Sequence, residues 1–199
     1  MNRLADVALA GLGLVVASPL LALAALAAKL EDGGPVLFRQ VRVGKDGKDF
    51  ELLKLRSMVV DAERQGAGFA VDRGDARITR VGRVIRRTSI DELPQLWNVV
   101  RGDMSVIGPR PTLRYQVERY TERQCRRLEV LPGLTGWAQI HGRTTLPWAE
   151  RIELDVWYVE HRSPVLDAKI LARTPFALFG GTYKGKSGGW RGAEPPKTP

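Results

Sequence analysis

The chain has a single cysteine, Cys125, and only two histidines, His141 and His161. That excludes a disulfide scaffold and any zinc finger. Acidic residues are the scarcer charge: 22 Asp+Glu face 31 Lys+Arg, leaving a net charge of +9 over 199 residues. An excess of this size predicts an anionic partner, whether nucleic acid, an anionic membrane or a phosphorylated substrate. Repeats of solenoid period are absent, and no second long apolar run follows the one at the amino terminus, so one membrane segment is expected. What is present is globular in composition, with 44% hydrophobic and 27% charged residues. Collagen-like, low-complexity and wholly disordered classes are therefore excluded. The length suits one domain with a sizeable core, or one domain and an appendage.

Residues 7–28 form an uncharged, almost wholly apolar run, and about 20 such residues suffice to cross a bilayer. Three readings compete. A cleaved signal peptide draws on Arg3 and on Ala25-Leu26-Ala27, but Asp6 stands where a basic segment is expected and the run is long for a signal. A straight transmembrane anchor must accommodate Ser18-Pro19 at mid-run, where proline removes a backbone donor and clashes with the preceding turn. A re-entrant hairpin fits that break and the flanking charge, since Arg3 precedes the run and Lys29, Arg39, Arg42, Lys45 and Lys48 follow it. Positive charge on both sides suits entry and exit on the cytoplasmic face, and this reading is favoured.

Downstream, residues 35–40 and 50–54 read as a short β-hairpin around Gly44-Lys45-Asp46-Gly47. Residues 61–77 are a polar surface loop, and 79–87 show helical spacing of Val81, Val84 and Ile85 with arginines opposite. Leu93, Leu96, Trp97 and Val100 make an i, i+3, i+4, i+7 stripe. Residues 112–131 are expected as one highly charged helix, and Pro132 to Gly136 as a loop. The segments 146–161 and 165–179 are amphipathic and carry Trp148, Trp157, Tyr158, Phe176 and Phe179 beside Arg151, Lys169 and Arg173. Interfacial helices have this composition, although packing on the domain core explains it as well. The Gly-, Pro- and Lys-rich tail, 180–199, is expected to be flexible.

Gly180, Gly185, Lys186 and Ser187 satisfy the P-loop spacing, but Gly188-Gly189 and Pro195-Pro196 follow in place of a helix, so the match is rejected. The informative stretch runs from Arg86-Arg87 to Asn98. Ser89 and Glu92 have capping-box spacing, which predicts a helix start, while Pro94 is tolerable only in a first turn. Asp91 and Glu92 are thus expected at a helix amino terminus just after arginines, which keep a carboxylate ionised and attract anions. That setting suits an attacking carboxylate whose neighbour holds a divalent metal against a diphosphate.

Three runs together resemble the bacterial sugar transferases: Asp91-Glu92-Leu93-Pro94-Gln95, the stretch Gly102 to Pro111 (GDMSVIGPRP), and Pro132 to Gln139 (PGLTGWAQ). More closely, the chain is similar to the small monotopic polyprenyl-phosphate phosphoglycosyl transferases, from its apolar start through Lys54-Leu55-Arg56-Ser57-Met58 to Glu153-Leu154-Asp155-Val156-Trp157-Tyr158. The resemblance implies an α+β, predominantly helical fold. A re-entrant membrane helix (1–29) is broken at Ser18-Pro19, a small hairpin and interfacial helices surround a cytoplasmic catalytic domain (30–179), and the tail follows.

It also implies a reaction. Asp91 attacks the β-phosphate of a UDP-sugar, UMP leaves, and polyprenyl (undecaprenyl) phosphate attacks the aspartyl phosphosugar to give polyprenyl-diphosphate-sugar. Glu92, beside Asp91, is expected to bind Mg²⁺. Lys54, Arg56, Arg86, Arg110 and Arg143 match basic positions that hold phosphates or nucleotide, a role that bidentate arginine geometry suits. Pro109 and Pro111 are expected to shape the loop beside the site, and Asp155 and Asp167 to be structural partners of arginines. The implied location is the bacterial inner membrane, with its lipids as partners. A non-catalytic basic scaffold or anion-binding protein is the alternative; nucleic acid is not an expected partner, since no basic helix with base-reading residues stands out.

Overall fold

The computed structural model describes residues 2–62, 74–142 and 146–179. Arg143, the P-loop-like stretch with the rest of the tail, and most of the polar loop after residue 61 lie outside the described residues.

Helix α1, Arg3–Asp32, starts where the Asn2 side chain accepts the Ala5 amide and ends at left-handed Gly33. Its helical backbone continues through Ser18-Pro19, so the expected break takes the form of one missing bond inside a continuous element. Pro19 has no N–H for the Val15 carbonyl, and the Ser18 hydroxyl donates to that same carbonyl at 2.8 Å. The apolar window of α1 has a mean hydropathy of 2.3, yet only 11% of it is buried. Leu12, Val15, Val16 and Leu23 are all well exposed. A core helix of a water-soluble domain would hide such side chains, so these residues associate the chain with a membrane.

The contacts α1 does make run along its whole length, through small residues. Ala10 packs into the main core, Gly13 sits against Leu96, and Ala24 joins Leu55 and Ile85 in a second cluster. Polar anchors hold both ends. At the start, Arg3 donates to the carbonyls of Val99 (2.5 Å) and Val100 (2.7 Å). Buried Asp6 accepts from the Ser105 hydroxyl and the Val106 amide. At the finish, Glu31 accepts the Arg80 and Val81 amides, and Asp32 pairs with Arg56.

Strands β1, Leu37–Val43, and β2, Asp49–Leu55, form the expected hairpin, antiparallel with Leu37 opposite Leu55 and Val43 opposite Asp49. Helix α2, Arg80–Arg87, is capped by the Thr79 hydroxyl; Ile85 is buried, while Val84 of its expected apolar face is exposed. Helix α3, Gln95–Arg101, packs on both α1 and β2. Strands β3, Ser105–Ile107, and β4, Gly133–Thr135, pair in parallel, so the expected 132–136 loop contains a strand. Three residues give too little alternation to reveal a strand, and this pair depends on close backbone approach. A Cβ on Gly133 would lie 2.0 Å from the Gly108 nitrogen.

The single helix expected over 112–131 is instead α4, Arg114–Val117, α5, Glu122–Cys125, and a 3-10 turn, Arg126–Leu128. Thr121 is extended and exchanges side-chain and backbone bonds with Gln124, a capping box that starts α5 after α4 has ended at Val117. After α6, Trp137–Ile140, the two long amphipathic segments are helices as expected: α7, Trp148–Glu160, and α8, Pro164–Phe179. The main core joins Ala10 of α1, Leu52 of β2, Leu96 and Val99 of α3, Val106 and Ile107 of β3, Tyr158 of α7, and Leu166 and Ile170 of α8.

Candidate active site

Between α2 and α3 the chain turns sharply. Ser89 sits in the left-handed region at φ 59°, uncommon for a residue with a side chain, and Ile90–Glu92 form a 3-10 turn. Ser89 makes no capping bond and α3 begins only after Pro94, which differs from the expected capping box. The Glu92 side chain is committed elsewhere. Its carboxylate accepts Lys54 Nζ of β2 at 3.0 Å and pairs with both terminal nitrogens of Arg110, from the loop after β3. Strand, turn and loop thus meet at one carboxylate.

Asp91 beside it is 7% exposed, and its carboxylate has no hydrogen-bond or ion-pair partner among the described residues. Burial pushes its carboxyl up to about 6; Lys54 pulls it down, the Glu92 charge raises it, and Arg86 and Arg110 lower it. The sequence-based expectation was a carboxylate held ionised by arginines and a helix dipole. Burial outweighs their pull, because α3 starts past Pro94 and the cations act without a direct bond, yet a carboxyl titrating at about 6 is still mostly ionised at pH 7. Arg86 itself donates to the Ser57 hydroxyl at 3.4 Å.

Lys54, Arg86, Asp91, Glu92 and Arg110 are therefore brought together. Arg56 is not: it is 6% exposed, binds Asp32 through both terminal nitrogens, and donates to the Pro35 and Met58 carbonyls. Its hydrogen bond pulls the Asp32 carboxyl down to about 2. Its observed partners make it an anchor of α1. Pro109 and Pro111 contribute carbonyls, the first accepting Gly133 N at 2.8 Å and the second Arg42 Nη1 at 3.5 Å, which fits a loop-shaping role.

Two supporting residues, Arg127 and Asn98, were not singled out in the sequence, although Asp155 was expected to partner an arginine and does so. Arg127, 4% exposed, pairs with buried Asp155 and donates to the Arg110 carbonyl at 2.8 Å, fixing the backbone that aims Arg110. Burial pushes Asp155 up to about 6, with Arg127 lowering it. Burial also pulls the neighbouring Arg151 down to about 10, reinforced by the charges of Arg110 and Arg127. Asp167, the other expected arginine partner, accepts the Tyr158 hydroxyl at 2.8 Å. The second support is Asn98, fully buried on α3. It accepts the Leu53 amide at 3.0 Å and donates to the Glu51 carbonyl at 2.7 Å, so it continues the edge of β2 next to Lys54. A buried asparagine in an apolar stripe is the one sign the sequence offered.

Among the described residues no group of three or more His, Cys, Asp or Glu could cage a metal. Magnesium in phosphate-handling sites is held by one or two carboxylates plus substrate phosphates; Asp91 and Glu92 are carboxylates of that kind, and both Glu92 oxygens already accept from Lys54 or Arg110.

A sequence profile described as bacterial sugar transferase matches residues 1–181. The chain belongs to the bacterial sugar transferase family. This sugar transferase is similar to the uncharacterized sugar transferase EpsL of Bacillus subtilis, at 47% identity over 174 residues, covering 87% of this chain and 85% of that protein. It is 46% identical over 187 residues to the UDP-glucose:undecaprenyl-phosphate glucose-1-phosphate transferase of Caulobacter vibrioides, covering 89% and 69%. It is 44% identical over 180 residues to the UDP-N-acetylgalactosamine-undecaprenyl-phosphate N-acetylgalactosaminephosphotransferase of Aeromonas hydrophila, covering 87% of this chain but 42% of that longer protein.

Proposed function

We propose that this sugar transferase moves a sugar phosphate from a UDP-sugar to polyprenyl (undecaprenyl) phosphate through an aspartyl intermediate on Asp91. The observation that carries the reading is a buried carboxylate with no hydrogen-bond or ion-pair partner among the described residues, beside a second carboxylate gripped by two cations. A nucleophile kept from water and from hydrogen bonds is reactive once ionised. An Asp91 carboxylate oxygen bonds to the β-phosphorus as the bond from that phosphorus to the bridging oxygen breaks, and UMP departs with the bridging oxygen. A phosphate oxygen of the lipid then attacks the same phosphorus, the acyl phosphate bond breaks, and Asp91 is returned as carboxylate.

Arg110, Lys54 and Arg86 offset the negative charge that gathers around the phosphates. Glu92 holds Lys54 and Arg110 at the spacing the diphosphate needs. Mg²⁺ held by Glu92 and Asp91 with the substrate phosphates would supply further charge compensation when bound. The relatives' names include both glucose and N-acetylgalactosamine donors, so a panel of UDP-sugars assayed for lipid-dependent UMP release identifies the donor. Release that ignores added lipid phosphate would contradict the proposed acceptor.

The same proposal extends to topology: α1 is re-entrant, enters and leaves on the cytoplasmic face of the bacterial inner membrane, and sets the site at headgroup depth among membrane lipids. Anchors from Arg3, Asp6, Glu31 and Asp32 to one folded body support this reading. A straight helix of this length would be about 45 Å long and would carry one end away from that body if it crossed the bilayer.

A further inference from the structure

A polar cavity of about 160 Å³ lies at the amino-terminal foot of α1 and shares no residue with the Asp91–Glu92 cluster. Asp6, Ser105 and Tyr158 line it from buried positions, while Lys45, Glu129 and Arg162 line it from exposed ones. Asp6 is only 2% exposed. One of its oxygens, Oδ1, accepts both the Ser105 hydroxyl (2.9 Å) and the Val106 amide (2.8 Å). The other, Oδ2, has no hydrogen-bond or ion-pair partner among the described residues. An unpaired oxygen on a buried side chain marks a place for a ligand donor.

The charges lining this space are two carboxylates and two cations, so neither a simple anion nor a simple cation complements it. The matching chemistry is one small group carrying both an ammonium and a phosphate. Asp6 Oδ2 and Glu129, which also pairs with Arg126 at 3.3 Å, complement the ammonium, and Lys45 and Arg162, the latter bonded to the Tyr158 hydroxyl, complement the phosphate. Asp6 immediately precedes the apolar run that begins at Val7, which puts the cavity at headgroup depth when α1 lies in a bilayer. We infer that this cavity holds the head group of a zwitterionic phospholipid, a phosphoethanolamine-type group, and so fixes the depth of the helix start. The inference rests on the membrane reading of α1 and on nothing in the transfer reaction.

The test uses the full chain reconstituted into vesicles of equal phosphatidylethanolamine and phosphatidylglycerol, with flotation to read attachment and native mass spectrometry to read retained lipid. One phosphatidylethanolamine per chain should persist in preference to phosphatidylglycerol. Glu129→Gln, Arg162→Ala and Asp6→Asn should each cut that retention about tenfold, the weight of one charge-assisted bond. Asp6→Asn keeps an acceptor for Ser105 and Val106, and the other two positions are on the surface, so melting temperatures should stay close to wild type. Equal retention of both lipids by a chain that floats would overturn the inference while leaving the membrane reading intact. So would unchanged retention in all three variants, or soluble phosphoethanolamine binding where the lipid does not. A chain that fails to float would overturn the membrane reading as well.

Discussion

Keeping the Asp91 carboxylate ionised in a buried, unpaired position costs folding free energy, and the cost has a sign that can be tested. Its folded value of about 6 lies above the ordinary 3.8, so the folded state prefers the proton. Whatever stability that preference adds is fully present below about 4 and lost as pH rises through 6. Asp91→Asn, which removes the charge and keeps the shape, should therefore melt higher than wild type at pH 7.5, with the gap closing toward pH 4. Its transfer activity should fall by about three orders of magnitude or more. A variant that melts lower at pH 7.5 would show that the charge is compensated in the folded chain. Wild-type kcat/KM should decline below pH 6 as the nucleophile protonates.

In the buried Arg127–Asp155 pair, unlike at Asp91, removing the carboxylate costs stability. Asp155→Ala strands a buried guanidinium and should cost about 3–5 kcal/mol by denaturant unfolding, with Arg110 losing its backbone support. The Asp91–Glu92 pair stood out in the sequence because two adjacent carboxylates just after arginines put charges of both signs side by side in any local fold. Arg56 and Arg127 could not be sorted from Arg110 in the same way. One guanidinium resembles another until the fold supplies Asp32, Asp155 or Glu92 as its partner.

Among the elements, α1 shows how a membrane helix tolerates proline. Pro19 leaves the Val15 carbonyl without its helical donor, and the Ser18 hydroxyl supplies one. Pro19→Ala restores the backbone bond and should shift the chain toward a spanning form. Ser18→Ala leaves a carbonyl unpaired in hydrocarbon, at about 1–3 kcal/mol, and should lower the protein's thermal stability in the membrane without straightening the helix. Cysteine accessibility on either side of the bilayer separates the two outcomes, and labelling of the Pro19→Ala variant identical to wild type would contradict this role for proline. The long periodic helices α7 and α8 and the hairpin were legible because their apolar patterns repeat over several turns or alternations. The 112–131 segment was not. Its charges permit helix throughout, and the interruption at Thr121 is a local exchange of side-chain and backbone bonds with Gln124. The β3–β4 pair was hidden because its register depends on how closely Gly108 and Gly133 approach.

For the whole molecule, the positive charge, the exposed apolar helix and the site between β2, the 90–92 turn and the 108–111 loop fit one arrangement: a body held against a lipid surface from which an anionic substrate is drawn. With the exposed native Cys125 replaced by serine, residues 2 and 30 should both react with a membrane-impermeant thiol reagent from the cytoplasmic side when each is made cysteine. Reaction of residue 2 from the outside would contradict the re-entrant reading. Double-reciprocal plots against UDP-sugar and lipid phosphate should be parallel, as two half-reactions require; intersecting lines would favour direct transfer within a ternary complex. The most direct test of the central claim omits the acceptor altogether. Wild-type protein incubated with its UDP-sugar and Mg²⁺ but no lipid phosphate should gain the mass of one sugar phosphate, mapped to the peptide containing Asp91 and removed when lipid phosphate is added. Asp91→Asn should gain nothing, and the same mass gain in that variant would show that another residue forms the bond.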